Sequence, residues 1–281
     1  MATLYLVSTP IGNLSDITMR ATETLAAVSR VLAEDTRRTR ILLDHLALAT
    51  PLTSLHAHNE TARTERVVQW LNEGADLALV TDAGTPLISD PGARLVRSVL
   101  DAGHDVVPIP GPSAPIAALV ASGLPAERFT FLGFLPRKGR ERTALLERIS
   151  TAEETIVLFE SPERLGALLE ALEATCGPAR EVAVAREITK LHEHFLRGTL
   201  EEARAYYQDV PPRGEVTVVI APGKPAEGDP AGVAVDEGAA RALGQALLDE
   251  GARPSQAARE VARRLDIPRN LAYRIIQSIS G

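Results

Sequence analysis

The chain of 281 residues contains one cysteine and one tryptophan, and aromatic residues make up only 4% of it. A single thiol, Cys176, forms neither an internal disulfide nor a cysteine-based zinc site, so disulfide scaffolds and zinc ribbons are excluded. No stretch approaches the ~18 consecutive apolar residues of a membrane helix. The longest apolar run, APIAALVASGL, is broken by proline and glycine. The opening MATLYLVSTPIGNL has no basic segment ahead of a long apolar one, so no secretory signal is expected and the expected location is cytoplasmic. Two phosphate-binding signatures are missing as well. No G-x-G-x-x-G follows the first apolar run and no G-x-x-x-x-G-K-[ST] occurs, which removes the usual dinucleotide and P-loop readings. Gly111 to Ala114 reads GPSA and lacks the second glycine of a nucleophile elbow.

What remains is an ordinary globular composition, 45% hydrophobic and 24% charged, long enough for two domains and a small appendage. The net charge of −7 is unevenly spread. From Arg253 onward six arginines face Glu260 and Asp266, a net +4 that leaves the preceding residues at −11. Two shorter basic clusters, RRTR (Arg37 to Arg40) and RKGRER (Arg137 to Arg142), sit inside that acidic body. Either they are solvated faces or they serve a polyanion.

Short apolar runs alternate with helical-period segments: TLYLV, VLAE, DLALV and DVVPI, each followed by an amphipathic stretch. This predicts an α/β layer with a largely parallel sheet, here placed at residues 1–115. The alternation resumes after Phe129 with FTFLGF, TIVLF, REVAVARE and EVTVVIAP, placing a second α/β domain at 116–222. Two strands near Val182 and His194 without a helix between them predict a mixed or partly antiparallel second sheet. Gly223 to about residue 235 is rich in glycine and proline and reads as a linker. Residues 236–281 read as a small helical domain in which Ser255 caps one helix and Pro268 opens the last. Ala258, Val261, Leu265, Ile267, Leu271 and Ile275 would share its apolar face. The pattern resembles a helix-turn-helix, with a packing cap as the alternative.

Ligands of open α/β sheets bind beyond the carboxyl ends of the strands. Four such loops are dense in glycine, proline and short polar residues: STPIGNLSD, TDAGTPLISDPG, PIPGPSAP and FESPERL. Each is a turn by itself; together they suggest a site. His56-x-His58 and His192-x-His194 would put paired rings on one strand face, but matching acidic or cysteine partners are absent and no metal is expected.

The runs LYLVSTPIGNLSDIT, EDTRRTRILL, LHAHNE, LVTDAGTPLISDPG, VPIPGPSA, FLGFLPRKGRER, LFESPERL and AREITKLHEHFLRGTL, in that order, resemble the ribosomal RNA small subunit methyltransferase I family, of the tetrapyrrole-methylase (class III methyltransferase) fold class. The resemblance covers roughly Thr3 to Ala221. It implies two α/β domains with S-adenosyl-L-methionine in the cleft between them, a homodimer, and 2'-O-methylation of a cytidine in the decoding region of 16S rRNA in the small ribosomal subunit. In the wider fold class the loop after the third apolar run has the form G-D-P; here it is T-D-A-G-T-P, so Asp82 matches and its flanks do not. The implied cofactor residues are Pro10, Asp82, Ala83, Gly84, Thr85, Leu87, Ile88, Ser113, Ala114, Phe159, Glu160 and Gly214, with Asp82 either near the sulfonium or stabilising the turn. Glu187 and Lys190 are the expected catalytic pair, with a plain salt bridge as the alternative. Glu34 and Asp35 are further base candidates, unless they only balance Arg37 and Arg38. Arg37, Arg38, Arg137, Lys138, Arg140 and the basic tail are expected to hold RNA. Two rival readings stay open: a methylase of a porphyrinoid polycarboxylate, and a transcription regulator with a ligand-sensing body.

Overall fold

The computed structural model describes residues 2–56, 59–223 and 237–249, together with 252, 254–265, 272, 275, 276, 278 and 279. By their contacts they form two compact units, 1–223 and 224–281.

The larger unit opens with β1 (Thr3–Val7), α1 (Met19–Ala27), β2 (Arg30–Ala33), α2 (Thr36–His45), β3 (Leu52–Ser54), α3 (Glu60–Asn72), β4 (Leu77–Val80), α4 (Ala93–Asp101), β5 (Asp105–Ile109) and α5 (Ala114–Ser122). The five strands form one parallel sheet ordered β3-β2-β4-β1-β5. Every residue of β4 is buried, as a central parallel strand requires. Its side chains alternate between faces with the two-residue period of a strand. Leu77 and Leu79 enter a core with Val67, Leu71, Leu95 and Val99 of α3 and α4. Ala78 and Val80 enter a second with Ala21, Leu25 and Leu43 of α1 and α2.

The second half contains β6 (Phe129–Phe134), α6 (Arg140–Ser150), β7 (Thr155–Glu160), α7 (Pro162–Cys176), β8 (Glu181–Arg186), β9 (His194–Thr199), α8 (Leu200–Asp209) and β10 (Val216–Ile220). The sheet order is β6-β7-β10-β8-β9; only β6 and β7 run parallel. The expected mixed sheet is therefore present, with the β8–β9 hairpin where the helix is missing. Ile156, Leu158, Val182, Val184, Val218 and Ile220 face α6, α7 and α8. The opposite face, Val157, Ala183, Ala185 and Val219, is covered by Ala118 and Leu119 of α5, the helix that leaves the first sheet.

The sequence pattern passed over β3 and α3. β3 has three residues at the sheet edge, one of them apolar and none fully buried. In α3 the buried Val67 and Leu71 lie in the C-terminal half, so the period covers barely two turns. The paired-ring geometry fails as well. His56 lies beyond the end of β3, and His192 precedes β9, where His194 stacks on Tyr206. His58 lies outside the described residues.

The smaller unit contains α9 (Glu237–Asp249) and α10 (Pro254–Arg264), which share a core of Ala240, Ala257, Ala258 and Val261 with Ala272, Ile275 and Ile276. The expected linker beyond Gly223, the side chain of Ser255, and Arg253, Ile267, Pro268, Arg269, Leu271 and Arg274 lie outside the described residues. In α10, Glu260 pairs with both Arg263 and Arg264 at 2.7 Å, offsetting part of the basic charge.

Candidate functional site

Chain connections leave β1 and β4 toward opposite edges of the first sheet, which makes their adjacent carboxyl ends a topological switch point. There the two loops are stitched together. Thr9 and Gly84 exchange backbone hydrogen bonds of 2.9 and 3.0 Å, and the Thr9 hydroxyl donates to the Thr81 carbonyl at 3.2 Å. Ser8 Oγ donates to Thr85 Oγ1, which donates to the Pro112 carbonyl, both at 3.2 Å, so one hydroxyl chain ties the loops after β1, β4 and β5. Gly84 has φ +85°, and a Cβ there would meet Ile11 Cγ2 at 3.2 Å. The bridge thus needs glycine for both angle and space. Leu87 and Ser89 also hold positive φ, a strain that persists where surrounding structure enforces it.

Beyond these loops lies a cavity of about 340 Å³ whose other wall comes from the second sheet. Of the expected cofactor residues, Ala83, Gly84, Thr85, Ile88, Ser113, Ala114, Phe159, Glu160 and Gly214 line it. Leu87 does not: it packs into the core under α3 and α4. Pro10 and Asp82 line a smaller neighbouring cavity instead. Ile11, Asp90, Phe134, Ser161 and Glu215 also line the main cavity. Ile11, Asp90 and Ser161 fall within the loops that marked the site in the sequence, where nothing local distinguished them from turn residues, whereas Phe134 and Glu215 lie at the ends of runs read as strands.

Two helices begin at the cavity. Ser113 and Ser161 are the N-caps of α5 and α7, and neither side chain caps its own helix, so both hydroxyls face the cavity. Pro115 and Pro162 carry no N–H and Arg164 N–H goes to the Ser161 carbonyl, so the open first-turn amides are mainly those of α5. Beside Ser161, the side chain of Glu160 is 1% exposed. Its Oε1 accepts from Ser161 N–H at 2.8 Å and lies 3.1 Å from Arg164 Nε, while Oε2 is buried with no partner among the described residues. A buried carboxylate oxygen without a donor is costly, and in a cavity wall a ligand N–H or O–H satisfies it. Phe159 stands edge-on to Phe131 at 4.9 Å and tilted to Phe134 at 5.5 Å, forming an aromatic wall next to Glu160.

Three carboxylates gather on the first-sheet side. Thr81 Oγ1 donates to Asp90 Oδ2 at 2.6 Å, and Asp82 Oδ1 accepts from Asp35 N–H at 3.0 Å. Burial pushes the Glu34 carboxyl up, and the charges of Asp82 and Asp90 add to it; burial and then Asp82 push Asp90 up as well. Asp35 behaves differently. It caps α2 through the Arg37 N–H and pairs with the Arg37 guanidinium at 2.8 Å, which holds its carboxyl at about 2.

Glu187 and Lys190 form an ion pair of 2.8 Å, and Lys190 Nζ also reaches Glu215 at 3.0 Å. Burial opposes the charge on each. The Lys190 ammonium and the Glu215 N–H nevertheless hold Glu187 below its usual range, and the two carboxylates hold Lys190 above its own. The stem of Lys190 lies against Gly12, where a Cβ would overlap it, so the pair spans from the loop after β8 to the loop after β1. Arg37 and Arg38 are mainly exposed on α2, and Arg137, Lys138 and Arg140 are exposed where the chain enters α6.

Residues 3–204 match the family described as tetrapyrrole (corrin/porphyrin) methylases. The chain is 46% identical over 275 residues to the ribosomal RNA small subunit methyltransferase I of Synechocystis sp., covering 98% of this chain and 97% of that one. The namesake from Bacillus subtilis is 45% identical over 220 residues, 78% of this chain and 75% of its own. A solved uroporphyrin-III C-methyl transferase from Thermus thermophilus, complexed with S-adenyl homocysteine, superposes with a TM-score of 0.58 at 18% identity, over 78% of this chain and 97% of that one, a likeness of fold. By fold, by the loops that build its cavity and by descent across nearly its whole length, the chain belongs to the tetrapyrrole methylase family and, within it, to the ribosomal RNA small subunit methyltransferase I enzymes.

Proposed function

We propose that the protein methylates ribosomal RNA of the small subunit from S-adenosyl-L-methionine, at the ribose 2'-hydroxyl of a cytidine in the decoding region of 16S rRNA. The observation that carries the cofactor assignment is the cavity itself. The N-terminus of α5 suits a carboxylate, the aromatic wall suits an adenine, and Glu160 Oε2 suits a ligand donor. The fold neighbour that holds S-adenyl homocysteine supports the same reading. Homodimer formation and a cytoplasmic setting belong to the proposal and rest on the family resemblance.

When bound, S-adenosylmethionine supplies a methyl group already activated by a positive sulfur. The chain's own task is to hold donor and acceptor in line, worth ~7 to 11 kcal/mol when alignment is good. Gly84, Thr85, Ser113 and Ala114 from the first lobe and Phe159, Glu160 and Gly214 from the second would hold the cofactor. The hydroxyl must also give up a proton. Asp90 suits that role better than Glu187, because Asp90 faces the cavity with a raised affinity for protons while Glu187 is held ionised by Lys190. Glu187 and Lys190 then position the loops around the reacting atoms.

Labelled S-adenosylmethionine offered with small subunits, free 16S rRNA or a porphyrinoid precursor tests this assignment. Label recovered as 2'-O-methylcytidine is expected; label in the porphyrinoid, or none at all, would overturn it.

A further inference from the structure

We infer that the smaller cavity beside the main one receives the pyrimidine base of the acceptor nucleotide, and that Asp82 and Arg38 read its edge. This rests on the rRNA reading above and adds to it the residues that choose the base.

The cavity holds about 120 Å³. That equals roughly four water volumes, the scale of one six-membered heterocycle and far too little for a cofactor. Its position fits a base whose ribose is being modified. The Thr9–Gly84 bridge lies between it and the main cavity, Thr9 lining the smaller and Gly84 the larger. A base seated here leaves its ribose at the junction, near Thr81 and its partner Asp90.

The walls suit a flat ring. Pro10, Leu14 and Ile41 supply apolar contact, Ile41 from the rim, where it is 63% exposed. RNA bases that are read singly are splayed out and enclosed in this way. The floor is polar and unfinished. Arg38 Nε stands 3.6 Å from Asp82 Oδ2, too long for a hydrogen bond, and the Arg38 side chain is 63% exposed. Asp82 Oδ1 is committed to Asp35 N–H, so Oδ2, which faces Arg38 without accepting a hydrogen bond among the described residues, is open to a ligand donor.

An acceptor next to a donor matches the pairing edge of cytosine, which offers the N4 amino hydrogens beside N3 and O2. Carboxylates accept from cytosine N4 in base readout generally. Uracil would turn its O4 toward the Asp82 carboxylate, oxygen against oxygen. On this account Asp82 and Pro10 face the acceptor, and their absence from the cofactor cavity follows.

The test compares methyl transfer to 16S transcripts or subunits carrying cytidine or uridine at the acceptor position. The native protein should favour cytidine by at least about tenfold. Asp82→Asn keeps an oxygen for Asp35 N–H and adds a donor for uracil O4, so the preference should shrink to roughly threefold or less. Its dissociation constant for S-adenosylhomocysteine should stay within about twofold of the native one, below 0.5 kcal/mol. Ile41→Asp, at an exposed rim position that folding tolerates, should lower transfer with the same unchanged cofactor affinity. An Asp82→Asn protein that loses tenfold or more in cofactor affinity while keeping the base preference would assign the pocket to the cofactor and overturn the inference. Native rates and preferences in both variants would overturn it too. If the native protein methylates neither template, the rRNA reading itself fails and takes this pocket with it.

Discussion

Gly214 and Gly123 have nearly the same backbone, φ +79° and +80°, and different surroundings. Around Gly123, at the end of α5, a Cβ would meet nothing within 4 Å among the described residues. At Gly214, on the cavity wall, it would overlap the Glu187 carboxylate. Replacing either glycine by alanine imposes a left-handed angle costing ~1 to 2 kcal/mol, partly offset by a stiffer unfolded chain. Gly123→Ala should therefore cost about 1 kcal/mol. Gly214→Ala adds the displacement of Glu187 from Lys190 Nζ and from Glu215 N–H, at 2.8 and 3.0 Å. Hydrogen bonds to charged groups are worth ~1.5 to 3 kcal/mol, and partial exposure of the pair reduces that, so the total should reach about 2 to 3 kcal/mol. Urea unfolding of both variants measures the difference, and calorimetric titration with S-adenosylhomocysteine measures whether the cavity is affected. Affinity should fall by about tenfold in Gly214→Ala, near 1.4 kcal/mol, and stay native in Gly123→Ala. Equal destabilisation and equal affinity in the two proteins would refute a latch of Glu187 and Lys190 on the cavity.

Glu34→Gln should be more stable than the native protein at pH 7 and should flatten a pH trend. The folded chain holds the Glu34 proton above the ordinary 4.5, so native stability falls as pH rises from there through the raised value, and urea melts at pH 4.5 and 7 would detect the same slope in both proteins if this is wrong. Reversing charge at Arg137, Lys138 and Arg140 should weaken rRNA binding and reduce its salt dependence while S-adenosylhomocysteine affinity stays native; equal loss of both would remove the RNA role from that turn. Glu160→Ala should cost ~2 to 4 kcal/mol of stability, because Arg164 and Ser161 N–H lose a buried partner, and should weaken cofactor-product binding as well; a stability loss without a binding loss would make Glu160 purely structural.

The parallel first sheet was legible because β1, β4 and β5 are apolar runs flanked by turns, and the antiparallel part of the second because REVAVARE and HFLRGT have no helix between them. β3 escaped notice, since three residues with one apolar side chain carry no period. The site was legible as four loops, yet the partition within them was not. Asp82 and Ala83 are neighbours in sequence and line different cavities, because the Thr9–Gly84 bridge passes between those cavities and depends on a residue 75 positions away. Leu87 points into the core for a similar reason: φ +72° reverses the direction an extended loop would have given it.

Five non-glycine residues of the described chain hold positive φ, and four of them, Leu87, Ser89, Glu187 and Thr189, lie in two loops, one from each sheet; the first lines the main cavity, and Glu187 of the second packs behind Gly214 of its wall. At ~1 to 2 kcal/mol each, such angles would relax unless something opposed them. In the loop after β4 the opposing contacts are the Thr9–Gly84 bridge and the Ser8–Thr85–Pro112 chain. In the loop after β8 they are Lys190 with its two carboxylates, and its stem on Gly12. Both sets of contacts lead back to the loop after β1, at Ser8, Thr9 and Gly12. That loop is thus the common anchor of two strained loops, one on each sheet. A change there should relax both loops together, whereas a change confined to either loop should leave the positive φ of the other in place.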